Sequence, residues 1–245
     1  SIIYYNSDIY LVDAGPHLLS ALSALGISVS EIKGLFQTHS HDDHFSGLTT
    51  LIKTDHKLDY YTTPFVRASV SKKLSALMSD EDDMLNKYFT IKDLTLNEWN
   101  NIGGLEVKPL LSPHPVENVN FIFRVITDGD YKSYYHLADT TSFASMKNML
   151  SDNSDEPGMS HNFINKIKAN YQIPANLKKI DIGGGLIHGN AVDFVNDKSE
   201  KIILSHKAQS LTKEEKLIGS RASFGLQEPL IESNSNQILK YAKKY

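Results

Sequence analysis

The chain has 245 residues, is 40% apolar, carries a formal net charge of -4 and contains no cysteine. It is long enough to bury a sizeable core. It offers no apolar run of roughly 18 residues to span a bilayer, and its 25 Lys and Arg against 29 Asp and Glu leave no broad basic surface for nucleic acid. Without thiols there is no disulfide and no thiolate ligand, so any bound metal must be held by nitrogen and oxygen. Ser1-Ile2-Ile3-Tyr4-Tyr5 lacks the charged n-region and long apolar core of a signal peptide. The expectation is one cytoplasmic domain over residues 1–245.

Asp8 to Asp13 reads as a strand ending in a Gly15-Pro16 turn, Leu18 to Leu25 as a helix and Lys33 to Thr38 as a second strand. Leu48 to Ile52 is expected to be helical, Leu58 to Thr62 a strand and Val66 to Met78 a helix, which is the βαβα rhythm of a layered α/β fold. Lys72-Lys73 and Lys243-Lys244 read as solvated faces, and Ser79-Asp80-Glu81-Asp82-Asp83 as a solvated acidic turn. Three strands follow at Leu105 to Leu111, Phe121 to Ile126 and Ser133 to Leu137, the last two joined by the tight turn Asp128-Gly129-Asp130. Ser151 to Gly158 is an exposed linker and Asn162 to Tyr171 a helix. Lys179 to Ile182 is a strand running into Gly183-Gly184-Gly185, Ile202 to Leu204 a short strand, and Gln237 to Lys244 a terminal amphipathic helix.

The chemistry concentrates in His39-Ser40-His41-Asp42-Asp43-His44, directly behind a strand. Imidazole and carboxylate donors suit zinc, iron or manganese. Residues at i and i+2 of an extended tip point the same way, so His39 and His41 can share one ion, with Asp43 and His44 left for a second. The run is then half of a dinuclear centre. The other half should lie just past other strand ends, where His114, Asp139 and His206 each stand. Pro113 and Pro115 flank His114 and stiffen its loop. His188 follows the glycine run; a substrate-side role as proton donor or anion contact and a structural role both stay open for it. His17, His56, His136 and His161 have no partners in the pattern and read as ordinary.

These residues resemble the metallo-β-lactamase superfamily, whose hallmark is His-x-His-x-Asp-His after a strand. The match is complete at His39, His41, Asp43 and His44, and Leu11-Val12-Asp13-Ala14-Gly15, His114, Leu137-Ala138-Asp139-Thr140 and Leu204-Ser205-His206 resemble the other motifs in order. The resemblance implies an αββα four-layer sandwich and two divalent ions about 3.5–4 Å apart. It places His39, His41 and His114 on one ion, Asp43, His44 and His206 on the other, and Asp139 between them. It also implies a hydroxide held between the ions as nucleophile, a catalytic Asp43 that orients it, and an Asp13 that hydrogen-bonds the ligand loop.

The activity so implied is metal-dependent hydrolysis of a small molecule, a phosphodiester or other small ester, with zinc as the first choice of ion. Flavodiiron domains usually carry Glu at the position of His41, so His41 favours hydrolysis. A diiron sensor or redox protein for oxygen or nitric oxide is the first alternative, and a metal-containing binding module without turnover the second. Family members generally begin with a strand or two ahead of the one ending at Asp13, whereas only Ser1 to Ser7 precede it here. An N-terminal regulatory domain or a homodimer is therefore open as a partner.

Overall fold

A computed structural model describes residues 1–79, 84–127 and 129–231. In chain order the first half contains β1 (Ile2–Tyr5), β2 (Asp8–Val12), α1 (Leu18–Ala24), β3 (Ile32–Phe36), α2 (Asp42–Phe45), α3 (Leu48–Leu51), β4 (Leu58–Thr62), α4 (Pro64–Met78), α5 (Met84–Tyr88) and β5 (Phe89–Asp93). The second half contains β6 (Asn100–Ile102), β7 (Leu105–Leu111), β8 (Val119–Thr127), β9 (Asp130–His136), α6 (Phe143–Asn148), α7 (His161–Tyr171), β10 (Leu177–Asp181), β11 (Lys201–Ser205) and α8 (Lys213–Ile218). One sheet has the order β1-β2-β3-β4-β5 and the other β11-β10-β9-β8-β7-β6. Strands β2 to β5 are mutually parallel, as are β9, β10 and β11, while β6 to β9 form an antiparallel meander.

The two sheets meet through aromatic rings that the period-2 pattern sends inward. Phe36 of β3 lies edge-on to Phe123 of β8 at 5.0 Å and to Phe121 at 5.8 Å, and stacks on Tyr61 of β4 at 4.7 Å. Burying each such ring contributes about 1.5–3 kcal/mol. The outer face of the first sheet is covered by α4, whose Val66, Val70 and Leu74 recur at helical spacing and are fully buried. Pro64 opens that helix, where its missing N–H costs nothing. On the far face of the second sheet, α7 buries Ile164, Ile167 and Tyr171 after the Ser160 hydroxyl accepts a hydrogen bond from the Phe163 N–H at 3.2 Å. The layers run α, β, β, α as the resemblance implies.

The structure adds elements that the sequence pattern hides. Residues Ile2–Tyr5 form an antiparallel edge strand on β2, so a strand does stand ahead of the one ending at Asp13. β5 and β6 are polar edge strands with no clean alternation, and α6 is a single short helix behind the Ser142 cap. The β8–β9 hairpin pairs Thr127 with Asp130, and Gly129 takes φ 82°, the left-handed conformation such turns favour; Asp128 lies outside the described residues. The acidic residues 80–83 and the expected helix at Gln237 to Lys244 also lie outside them. Among the described residues no helix is long and apolar enough to cross a membrane.

The strand directions bring the C-terminal ends of β2, β3, β7, β9, β10 and β11 to one edge, where parallel α/β sheets present their ligand sites. There the loops after β2 and β3 pack back to back. A Cβ on Gly15 would lie 2.2 Å from the Asp43 carbonyl oxygen, and one on Gly47 would lie 2.6 Å from the Gly15 carbonyl oxygen. The expected result for Gly15→Ala is a loss of about 1–3 kcal/mol from overpacking, read as a lower denaturant midpoint at unchanged slope.

Candidate metal centre

Every strand end that the sequence marked delivers its side chain to the same place. His39, His41, His114 and Asp139 form one group of donor atoms within 4.8 Å of one another, and Asp43, His44, Asp139 and His206 form a second. The Nε2 of His114 lies 2.9 Å from the Nδ1 of His41. Two nitrogens bound to one tetrahedral ion at 2.0–2.1 Å lie about 3.3–3.4 Å apart, so these two need separate by only a few tenths of an ångström to share one.

The hydrogen bonds behind the rings fix which nitrogen faces inward. Asp13 holds the unusual φ of 62° and stands under the loop. Its Oδ2 accepts from His44 Nδ1 at 2.7 Å, which leaves His44 Nε2 as the free donor atom. The Thr38 hydroxyl donates to Asp13 at 2.8–2.9 Å and so accepts from His39 Nδ1 at 2.9 Å, which leaves His39 Nε2 free in the same way. Gln37 Nε2 donates to the carbonyls of His39 and His44 at 2.7 and 3.0 Å, tying both ends of the ligand run to one side chain. Asp13 thus bonds the ligand loop as the resemblance implies.

These inward atoms lack protein partners. His39 Nε2, His44 Nε2 and Asp139 Oδ1 are buried and make no hydrogen bond, although His44 Nε2 and Asp139 Oδ1 are 3.1 Å apart. Leaving a polar group so buried costs about 1–3 kcal/mol, and a divalent cation in each of the two donor groups would satisfy all three atoms. The residues present therefore fit a divalent metal ion.

Charge points the same way. The hydrogen bond from His206 and the nearby His44 ring hold Asp43 well below the usual carboxylate range. Burial opposes ionisation of Asp139, yet its contacts with His39, His44 and His206 keep it far below that range. Burial likewise opposes protonation of His44, but Asp13, Asp139 and Asp43 raise it to about 11; His206 rises against burial to about 9 through Asp181, Asp43 and Asp139. His114 is pushed down to about 4, first by burial and then by His39. The ionised carboxylates thus draw positive charge onto His44 and His206, and a metal ion binding there would take the place of a proton on His44.

Three residues play parts that the sequence pattern does not show: Asp181 carries no signal there, and His136 and Lys73 read as ordinary. Asp181, at the end of β10, accepts from the backbone N–H groups of Thr140 at 3.0 Å, Gly183 at 2.9 Å and Gly189 at 3.2 Å, and from His188 Nδ1 at 3.0 Å. Its Oδ1 also lies 3.4 Å from His206 Nδ1. With both oxygens so engaged, Asp181 ties together the loops after β9, β10 and β11. The expected strand Lys179 to Ile182 puts Asp181 inside it and not just past its end, so the rule that located Asp139 passes over Asp181. His136, expected to be ordinary, is buried; Tyr134 Oη lies 2.8 Å from its Nδ1, and its Nε2 stands 4.0 Å from Asp13. Lys73, expected on a solvated face, instead reaches the His39–His44 loop. His56 and His161 pair with the exposed Asp55 and Asp152, away from the centre.

The two-sheet architecture and this cluster define a metallo-β-lactamase fold protein. Solved structures of that fold align with the chain. A Bacillus subtilis metallo-β-lactamase fold protein, YhfI, matches at a TM-score of 0.62 and 16% identity, over 92% of this chain and 89% of its own. A diphosphatase of the PhnP family matches at 0.60 and 14%, over 94% and 83%. The chain belongs to the family of the anti-Pycsar protein Apyc1, whose sequence model matches residues 1–178. It is also 24% identical, along its whole length, to a Dictyostelium discoideum cAMP/cGMP-dependent 3′,5′-cAMP/cGMP phosphodiesterase B, of which it spans 21%.

Proposed function

We propose that this chain is a phosphodiesterase acting on 3′,5′-cyclic nucleotides through two divalent ions. The observation that carries the reading is the Asp139 carboxylate. Its Oδ1 faces His44 and His206 at 3.1 and 3.2 Å, while its Oδ2 faces His39 and His114 at 3.6 and 3.5 Å, as a group shared by two ions would. His39, His41 and His114 then hold one ion, Asp43, His44 and His206 the other, and Asp139 both. Zinc suits these donors best, and iron or manganese also accepts them. Bound there, two such ions supply a water acidic enough to attack near neutral pH and positive charge for the phosphoryl oxygens. The Dictyostelium relative, a 3′,5′-cAMP/cGMP phosphodiesterase, supports the substrate class.

The chain's own groups supply the rest. Asp43, with its side chain 53% exposed, faces solvent at the rim, where it would orient an attacking water. His188 is partly exposed beside His206, with ring centroids 5.1 Å apart, and its Nδ1 is engaged by Asp181. The hydrogen bond to Asp181 raises its pKa above the ordinary 6.5 against the effect of burial. With Nδ1 held by Asp181, a protonated His188 would present its Nε2 proton to the departing ribose oxygen as the P–O bond breaks.

The reading is tested by incubating zinc- or manganese-loaded protein with 3′,5′-cyclic nucleotides and separating the products. Linear nucleoside monophosphates are expected; intact cyclic nucleotides throughout would remove the proposal. His188→Asn is expected to slow this turnover about 10²–10⁴-fold and to abolish its decline as pH rises through the raised pKa of His188. Bis(p-nitrophenyl) phosphate, whose nitrophenolate leaves without a proton, should lose far less. Equal losses on both substrates would show that His188 is not the acid.

A further inference from the structure

The ligand run His39–His44 is held from below by Asp13 and Gln37, and nearly every carbonyl along it is engaged by its own surroundings. The His39 carbonyl accepts from Gln37 Nε2 at 2.7 Å, the His41 carbonyl from the His44 N–H at 3.0 Å, the Asp42 carbonyl from the Ser46 N–H at 3.0 Å, and the His44 carbonyl from Gln37 and the Ala14 N–H. The Ser40 carbonyl, between the two histidines of the first group, is engaged from elsewhere. Lys73 Nζ donates to it at 2.6 Å and to Asp42 Oδ1 at 2.6 Å, while the same ammonium sits 4.6 Å from the centroid of the Phe45 ring. Lys73 can reach so far with little freedom because its neighbours Val70 and Leu74 are fully buried and fix α4 against the sheet.

We infer that Lys73 is a positioning residue for the ion held by His39, His41 and His114, acting by fixing the peptide plane between Ser40 and His41. Rotation of that plane changes the direction in which His41 leaves the chain, and His41 Nδ1, 2.9 Å from His114 Nε2, has to stay beside it for both to meet one ion. His39, bonded to Thr38, has its orientation set independently, so the Ser40 carbonyl is the adjustable joint between the two ligands. A lysine ammonium this close would by itself repel a metal ion. The Asp42 carboxylate, 87% exposed and bound to the same Nζ, offsets that charge, so the pair contributes direction without net repulsion.

The inference rests on the two-ion reading, and its test separates the two. Wild type, Lys73→Met and Lys73→Arg are stripped of metal and titrated with zinc against a chromophoric chelator, and the metal-free proteins are melted in parallel. Methionine keeps the stem over Phe45 and removes the donors. For Lys73→Met the expected result is about 10–100-fold weaker binding of one of two ions, with the other ion and the metal-free melting temperature near wild type. Lys73→Arg should restore most of the loss. Cobalt loading gives a second readout, because the visible spectrum of the first ion should change in Lys73→Met and return in Lys73→Arg. Wild-type affinity for both ions in Lys73→Met would overturn the inference, as would equal weakening of both together with a large fall in metal-free melting temperature, which marks a folding role. If wild type binds a single ion, the two-ion reading fails by itself, and Lys73 is then judged on that ion's affinity alone.

Discussion

Asp139→Asn is expected to lower phosphodiester turnover by about 10³-fold or more, at least the loss seen when a single preorganised charge-stabilising group is removed from an active site. The size follows from position. Asp139 is 1% exposed, lies at the junction of both donor groups, and has one oxygen directed to each. Asparagine keeps the shape but replaces one anionic oxygen with an amide that would point hydrogens at imidazole nitrogens or at an ion. The loop itself should stay in place, because its backbone is held by other groups: Asn118 Nδ2 and Ser112 Oγ donate to the Asp139 carbonyl at 2.5 and 3.2 Å, and Asn120 Oδ1 accepts from the Ala138 N–H at 2.9 Å. The metal-free variant should therefore melt within a few degrees of wild type, with the loss appearing in kcat and in the number of ions retained. A variant that turns over at wild-type rate would remove Asp139 from the centre.

Asp13→Ala should act on both stability and ion binding. The carboxylate is buried and accepts from the Thr38 N–H at 2.8 Å, the Thr38 hydroxyl at 2.8–2.9 Å, Gln37 Nε2 at 3.2 Å and His44 Nδ1 at 2.7 Å. Removing it orphans several buried donors at once and leaves His44 without its counter-charge, at a cost of about 3–5 kcal/mol. For a chain of this length that is a fall of roughly 6–20 °C in melting temperature. Ion affinity should fall about 10–100-fold as well, because His44 loses the partner that fixes its tautomer. Calorimetric melting with and without added zinc checks both halves, and wild-type behaviour in both would contradict the role of Asp13. Asp13→Asn, which tolerates the positive φ, separates charge from backbone strain.

Much of the candidate centre is readable from sequence because its potential donors obey one local rule, a polar residue just past an apolar strand. The dense run His39–His44 needed no tertiary information, and His114, Asp139 and His206 followed from strand ends that the apolar pattern locates well. What the pattern could not show depends on distance in space. Asp181 gains its importance from N–H groups on two loops, Thr140 on one and Gly183 and Gly189 on the other, brought together by the β9–β10–β11 pairing. Lys73 reads as a surface lysine because nothing near it in sequence reveals that α4 passes beside the Ser40 carbonyl. His136 carries no signal of its burial, since a histidine in a strand faces inward or outward by register alone. The edge strands β1, β5 and β6 escape the period-2 pattern because one side of an edge meets water, where polar residues are tolerated.

On the two-ion proposal, Asp139 and six further side chains hold two ions in this chain. The most direct measurement is quantitative metal analysis of the stripped and zinc-reconstituted protein, paired with a chelator titration of its cyclic-nucleotide hydrolysis. The expected result is two tightly held ions per chain, a fall to one or none in Asp139→Asn, and turnover that vanishes on chelation and returns when both ions are restored. A stripped protein that still hydrolyses its substrate, or a wild-type chain that never retains a second ion, would contradict it.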